Sequence, residues 1–443
     1  MAISHIQAGL LALSLAPLTV LAEIEFSSTL QQELAVNIAS GAGESVQKFE
    51  SVFEPEWFTP LGDNLDMTLI ARARFDAWDE LGYEGERLDT SGPANGPLYE
   101  GDHADVEVRE WFFDTEIAGS YWRLGKQQVV WGQADGLKVL DVVNPQSYRE
   151  FILDDFADSR IPLWLVNAEI PLGEDDSLQL LWIPDLTYHD FANQGSVYAM
   201  TSPLLVPQPV EGLVFEGISE HKPNSTFADS DVGLRYASFT QGWDLTLNYL
   251  YHYQDSPVFY HQVSLDAVSI RAEYERNHLL GATASKAFGD FTLRTEVGYS
   301  SDSYHLLEQS SARFVEDQGI HRSADLSSVI GLDWQGLQDT MVSVQWFQSY
   351  LFDHKRDLVR PQQNHIFSML YRQTFLNETW ELEFLGLYGE DQGDTSMQAK
   401  LSHMWESNIQ VWVAVDTFAG DRESLFGQFD QADRMLVGVE WGF

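Results

Sequence analysis

The chain has 443 residues, of which 44% are hydrophobic and 13% aromatic, with no cysteine and a formal net charge of −43. The lack of thiols excludes a disulfide scaffold and any thiolate metal site, and so strong an acidic excess excludes nucleic acid as a partner. After the first 22 residues no apolar run reaches the ~18 residues of a membrane helix, so the apolar content must be spread thinly, as in alternating strands.

The N-terminus opens with an apolar run, Ala8 to Leu21, followed by Ala22. Small residues at Val20 and Ala22 fit signal-peptidase cleavage after Ala22, although the only basic group before the run is His5. Residues 1–22 are therefore expected to be a signal peptide, and 23–443 one domain.

Strand-like segments then recur to the end of the chain. The first five are read near 25–38, 46–57, 64–79, 103–118 and 119–132. Six more follow near 162–172, 177–185, 228–240, 242–254, 277–288 and 290–301. The last seven lie near 323–335, 338–352, 362–376, 378–389, 395–406, 407–419 and 432–443. That makes eighteen, with sixteen left open because 255–288 can be divided in more than one way. Their length suits tilted strands crossing a bilayer. The connections sort by length. Tight ones include Ala118-Gly119-Ser120, Gly173-Glu174-Asp175-Asp176, Gln241-Gly242, Gly289-Asp290, Gly336-Leu337 and Asn377-Glu378. Long ones include 80–102, 133–161, 186–227, 255–276, 302–322 and 420–431. Short periplasmic turns and long external loops are the habit of outer-membrane barrels.

Alternation shows which face meets lipid. Leu65, Met67, Leu69, Ala71, Ala73 and Phe75 share one face, with Asp66, Thr68, Arg72, Arg74 and Asp76 on the other. Aromatics near segment ends (Trp57, Trp78, Trp122, Trp131, Tyr350, Trp405) fit interfacial girdles. The last strand alternates Met435, Val437, Val439, Trp441 and Phe443 with Arg434, Gly438, Glu440 and Gly442. A final strand ending in an aromatic resembles the terminus that the barrel assembly machinery reads. The expected fold is all-β: a transmembrane antiparallel up-and-down barrel in the outer membrane of a Gram-negative bacterium. Its surroundings would be outer-membrane lipid and lipopolysaccharide, and a homotrimer is a precedent among such barrels.

The connection after the fifth strand differs from the others. Leu137, Val139, Leu140, Val142, Val143, Phe151, Ile152, Leu153 and Phe156 are too many apolar residues for a solvated loop. Residues 133–161 are therefore expected to fold into the barrel as the third external loop and narrow the pore. A turn at Asn144-Pro145 and a short helix or turn within Ser147–Phe156 are expected.

This segment also resembles a known family. Arg123, Gly125, Lys126, Gln127, Trp131, Gly132, Asp135, Asp141, Asn144, Pro145, Arg160, Ile161, Pro162 and Trp164 carry the pattern RxGKQxVxWG…D…DxxNP…RIPLW. The pattern looks like that of an uncharacterised porin-like family of proteobacterial outer-membrane proteins. The resemblance implies a pore, and links some members to lipid exporters and the traffic of hydrophobic molecules. It supplies no substrate and no catalytic residue.

Candidate constriction residues are Asp135, Asp141, Asn144, Arg149, Glu150, Asp154, Asp155, Asp158 and Arg160 on the loop, with Arg72, Arg74, Arg109 and Arg123 on adjoining strands. Facing acids and bases would set a transverse field across a pore. The same pairs would equally pin the loop to the wall. Asp154, Asp155 and Asp158 offer hard ligands for weakly bound Ca²⁺, although the twelve-residue Ca²⁺ loop pattern is absent, and no other cofactor is expected. No H-E-x-x-H, G-x-S-x-G or P-loop is present, so no enzyme is expected. The leading expectation is a cation-preferring channel for small solutes. The alternatives are a conduit or receptor for hydrophobic molecules, and a plugged structural or surface protein.

Overall fold

In the computed structural model, residues 24–39, 46–78 and 88–443 are described; the expected signal peptide lies outside them. Eighteen strands form one closed ring. The first five are β1 (Glu25–Asn37), β2 (Val46–Gly62), β3 (Leu65–Asp76), β4 (Ala104–Ile117) and β5 (Ser120–Gln127). β6 (Leu163–Pro171), β7 (Asp176–Ile183), β8 (Asp231–Thr240), β9 (Trp243–Tyr253) and β10 (Arg276–Phe288) follow. Next come β11 (Phe291–Leu306), β12 (Ile320–Trp334), β13 (Thr340–Leu351) and β14 (Gln363–Phe375). β15 (Trp380–Gly389), β16 (Asp394–Glu406), β17 (Ile409–Ala419) and β18 (Arg434–Gly442) complete the ring.

Each strand pairs antiparallel with its neighbours, and β18 closes on β1, with Gln32 opposite Val439 and Val36 opposite Met435. Phe443 takes part in the closure. Its N–H and C=O exchange hydrogen bonds with Ser28 at 2.9 and 2.8 Å. Closure leaves no unpaired edge, which a lipid solvent requires of any sheet.

The count is eighteen, not sixteen, because the ambiguous stretch 255–276 leaves the wall. Val258–Val263 and Ala267–Glu273 form a hairpin, and Val214–His221 adds to it in parallel. The rim that carries Phe443 has only tight connections. At Ala118-Gly119 and Gln241-Gly242 both residues have positive φ (54° and 79°, 51° and 80°). That is the mirror-image turn whose twist matches paired strands. The opposite rim carries the long loops with one exception: β15 and β16 are joined by 390–393 alone.

The expected facing holds. Phe75, Val344, Trp346, Val437 and Trp441 are exposed on the outer surface, while Arg72, Asp76, Ser343 and Gln345 are buried inside. Charge is thereby kept off the lipid face, where it costs roughly 2–4 kcal/mol at mid-depth. Two readings of the fifth segment need correction. β5 stops at Gln127, not at 132. Trp131 is not a girdle residue: it is 1% exposed inside the barrel and donates to Gln179 Oε1 at 2.8 Å.

Three external loops turn inward, from β5–β6, β7–β8 and β17–β18. Phe151, Tyr198, Phe426 and Phe429 from these loops pack on inward-facing Val329, Phe347, Ile366, Leu387 and Phe418 of the wall. An apolar cluster therefore sits within the lumen.

Candidate functional site

The third external loop, 128–162, crosses the lumen and touches both sides of the wall. Its apolar residues drive the entry. Val129, Trp131, Leu140 and Val143 pack with Leu163, Leu165, Leu181, Ile183, Leu250 and Leu279. Leu140 is the knob. It is fully buried, and its Cδ2 lies where side chains at Gly281 and Gly298 would stand, 2.7 and 3.1 Å from their ideal Cβ positions. A side chain at Gly281 would displace Leu140 from the seat, and one at Gly298 would crowd it.

Polar groups at the ends of this run follow the packing. Asn144 ties the two legs of the loop together. The Val129 N–H donates to its Oδ1 at 2.7 Å, and its Nδ2 donates to the Ile161 carbonyl at 2.9 Å. Glu296 of β11 accepts the Gln133 N–H and, at 3.1 Å, the Leu140 N–H. Asp135 pairs with Arg294 and accepts from Gln345 Nε2 at 2.8 Å. Arg160 pairs with Asp141 at 2.8 Å within the loop.

The return leg is held by the opposite wall. Glu150 is 2% exposed between Lys48 of β2 at 2.8 Å and Arg434 of β18 at 2.5 Å. Arg149 pairs with Glu50 at 2.6 Å, and Lys48 also reaches Glu33 at 2.6 Å. Burial works to raise the Glu150 pKa, but Lys48, Arg434 and Arg149 outweigh it, so the carboxyl is held below the usual carboxylate range. The next residue, Phe151, has φ +56°, a conformation costly for a bulky side chain. The reversal sends its ring to the other side, 4.5 Å from Phe429. Successive residues thus anchor the loop to the ionic wall and to the aromatic cluster.

The turn expected within Ser147–Phe156 lies at 149–152, where the Phe151 N–H donates to the Tyr148 carbonyl at 3.0 Å, and a single helical turn, Phe156–Ser159, follows it. Ser147 and Tyr148 pair in parallel with Asp190 and Phe191 of the next long loop. Asp158 meets Arg72 at 2.8 Å, and Arg109 Nη2 donates to the Ala157 and Asp158 carbonyls at 2.8 and 2.9 Å.

Of the residues singled out in the sequence, Arg72, Arg109, Asp135, Arg149, Glu150 and Asp158 do join the loop to the wall. Asp141, Asn144 and Arg160 hold the loop to itself. Arg74 pairs with Glu50 and Asp105 on the wall. Arg123 lies elsewhere, paired with Asp114 at 2.7 Å toward the tight-turn rim. Asp154, Asp155 and Asp158 do not converge as a Ca²⁺ site: among the described residues no group of three or more acidic or histidine side chains is placed to hold a metal. Lys48, Glu50, Arg294, Glu296 and Arg434 were missed. All occupy inward positions of their strands, which the alternation marks, but their partners lie up to 284 residues away.

The loop leaves one flank open, toward β12–β16. Asp155 is exposed there, within electrostatic reach of Lys400, and Ala157 on the same helical turn is exposed as well. Beside the loop lies a cavity of about 270 Å³, bounded by Leu137, Phe151 and Phe156 on the loop and Phe347 and Ile366 on the wall. A second, of about 240 Å³, lies under the outer loops beside His305 and Arg360. The two share Asn364 and Ile366 as walls.

A family model described as "Protein of unknown function (DUF1302)" matches residues 70–350. No curated protein matches the sequence. Among solved structures, OccAB4 of Acinetobacter baumannii superposes with a TM-score of 0.54 at 8% identity, covering 95% of this chain and 98% of that one. OccK2 (OpdF) of Pseudomonas aeruginosa gives 0.54 at 10% identity, with the same coverage. OccK1 (OpdK) of the same organism gives 0.51 at 10% identity, again covering 95% and 98%. At such identity the likeness concerns fold alone. The fold is that of outer-membrane porins, and a closed ring with an apolar outer face is the form that a strand-built chain takes in a Gram-negative outer membrane.

Proposed function

Because the chain belongs to the family described as "Protein of unknown function (DUF1302)", whose description names no activity, we propose a function from the lumen: a selective channel for small solutes. The solute passes along the open flank of loop 128–162. The observation that carries this reading is a cavity between the pinned loop and the wall of β12–β14, adjoined through Asn364 and Ile366 by a second one under the outer loops. One structure of similar fold, OpdK, holds vanillate, and another, OccK2, holds glucuronate; both are small organic molecules. The reading needs no catalytic residue.

The net charge of −43 supports cation preference, since an acidic lumen and vestibule concentrate counter-ions. In planar bilayers the purified protein is expected to conduct, and a salt gradient to give a reversal potential of the sign set by cation flow. Folded protein without conductance would end the channel reading; anion preference would end the cation reading alone.

A second reading, a conduit for hydrophobic molecules, is supported by the aromatic cluster of Phe151, Phe418, Phe426 and Phe429 inside the barrel. It would make the solutes amphipathic rather than fully polar. The cavities argue against a barrel plugged along its whole length. Contacts with lipopolysaccharide, recognition of Phe443 by the assembly machinery, and a trimer remain proposals, the last checked by cross-linking in native membranes.

A further inference from the structure

We propose that the cavity beside loop 128–162 is a binding site for amphipathic organic cations, with Asp154 as the counter-ion. The inference deepens the channel reading by naming a substrate class, and rests on the same cavity.

Its walls are mainly apolar: Leu137, Val139, Phe151 and Ile152 of the loop, and Phe347 and Ile366 of β13 and β14. Of the lining residues only Lys138 and Asp154 carry charge. Lys138 is committed. Its Nζ lies 3.6 Å from Asp141 and 4.4 Å from the centre of the Phe156 ring, and donates to Gln146 Oε1. Asp154 is not. Among the described residues no hydrogen bond or ion pair reaches its carboxylate. The nearest bases on the wall are already engaged, Lys48 by Glu33 and Glu150, Arg74 by Glu50 and Asp105.

A lone carboxylate on an apolar wall is costly unless something compensates it. Burial first, and the Glu150 charge second, push the Asp154 carboxyl up to about 7. A cationic head group would relieve that cost directly. An apolar body of modest size then fills the space between loop and wall. An anionic solute finds Asp154 repulsive and Lys138 taken.

The test uses the full-length barrel in detergent and titrates benzyltrimethylammonium, benzyl alcohol and phenylacetate by calorimetry. Benzyltrimethylammonium is expected to bind at least about tenfold more tightly than phenylacetate, a difference that one desolvated charge contact readily supplies. Asp154→Asn is expected to remove that preference while leaving benzyl alcohol unaffected. The carboxylate has no partner, so the variant should fold, and heat-modifiable migration on gels checks this. Equal binding of cation and anion, or an unaltered preference in Asp154→Asn, would overturn the inference. Because calorimetry does not need conductance, its outcome is separable from that of the channel reading. A conducting barrel without cation binding sinks only this proposal, and a binding barrel without conductance sinks only the channel.

Discussion

Glu150→Ala is expected to undock the return leg of the third loop and raise single-channel conductance. The substitution leaves Lys48 and Arg434 facing each other at 4% side-chain exposure without the carboxylate between them. Breaking a buried pair from one side costs roughly 3–5 kcal/mol when the remaining charge is left alone; here Lys48 keeps Glu33 and Arg434 keeps Asp416, so the loss falls below that range. Loop docking loses that energy, and the wall does not: the strand ladder is unaltered. The variant should therefore still migrate as a folded barrel. Conductance recordings and protease cleavage within 145–160 check the expectation; a silent variant would mean that the ionic wall does not hold the loop. The pH dependence follows from the same carboxyl. Its folded pKa is depressed, so its contribution is present above the unfolded value of ~4.3 and is lost only as pH falls through the lower folded value. The loop should stay docked from about pH 8 to pH 5 and release only in stronger acid; any conductance change between those values belongs to Asp154, pushed up to about 7, and should occur without added protease cleavage in 145–160.

Leu140→Ala attacks the other anchor. The side chain is fully buried over Gly281 and Gly298. Emptying such a seat costs about 2–5 kcal/mol, with the spread set by how far the site collapses. The two backbone bonds to Glu296 depend on that seat, so the leg 133–140 should loosen with it. Noisier, larger conductance steps are expected, with no change in the amount of folded barrel. The effects of Glu150→Ala and Leu140→Ala should add only in part, since the two anchors hold one loop. Conductance equal to that of the unsubstituted protein would show that Leu140 is passenger rather than anchor.

The wall was legible in the sequence because lipid imposes a strict rule on each strand. A residue faces hydrocarbon or it does not, so Leu65 to Phe75 alternate without ambiguity. In the hairpin of Val258–Val263 and Ala267–Glu273, the second strand obeys the same alternation, with Val268, Ile270 and Ala272 buried between Ser269, Arg271 and Glu273, because it packs among external loops. Alternation alone does not tell it from a wall strand. Trp131 was misread because the segment stays apolar after Gln127, where the chain has already left the ladder. The infolding of the third loop was legible from its excess of apolar residues. Its partners were not. Arg434 meets Glu150 only because the ring closes between β18 and β1, and Leu140 meets Gly281 and Gly298 only because the loop crosses the lumen. Glycine in a strand gives no sign of which knob it admits.

The position of loop 128–162 inside the conducting path is the central claim, and a single cysteine tests it most directly. The chain has no native cysteine, so Ala157→Cys, at an exposed site on the helical turn, gives one reactive thiol. A charged methanethiosulfonate reagent added to an open channel should lower its conductance in one step, and reduction should restore it. A thiol that reacts without altering conductance would place the loop outside the path and contradict the account.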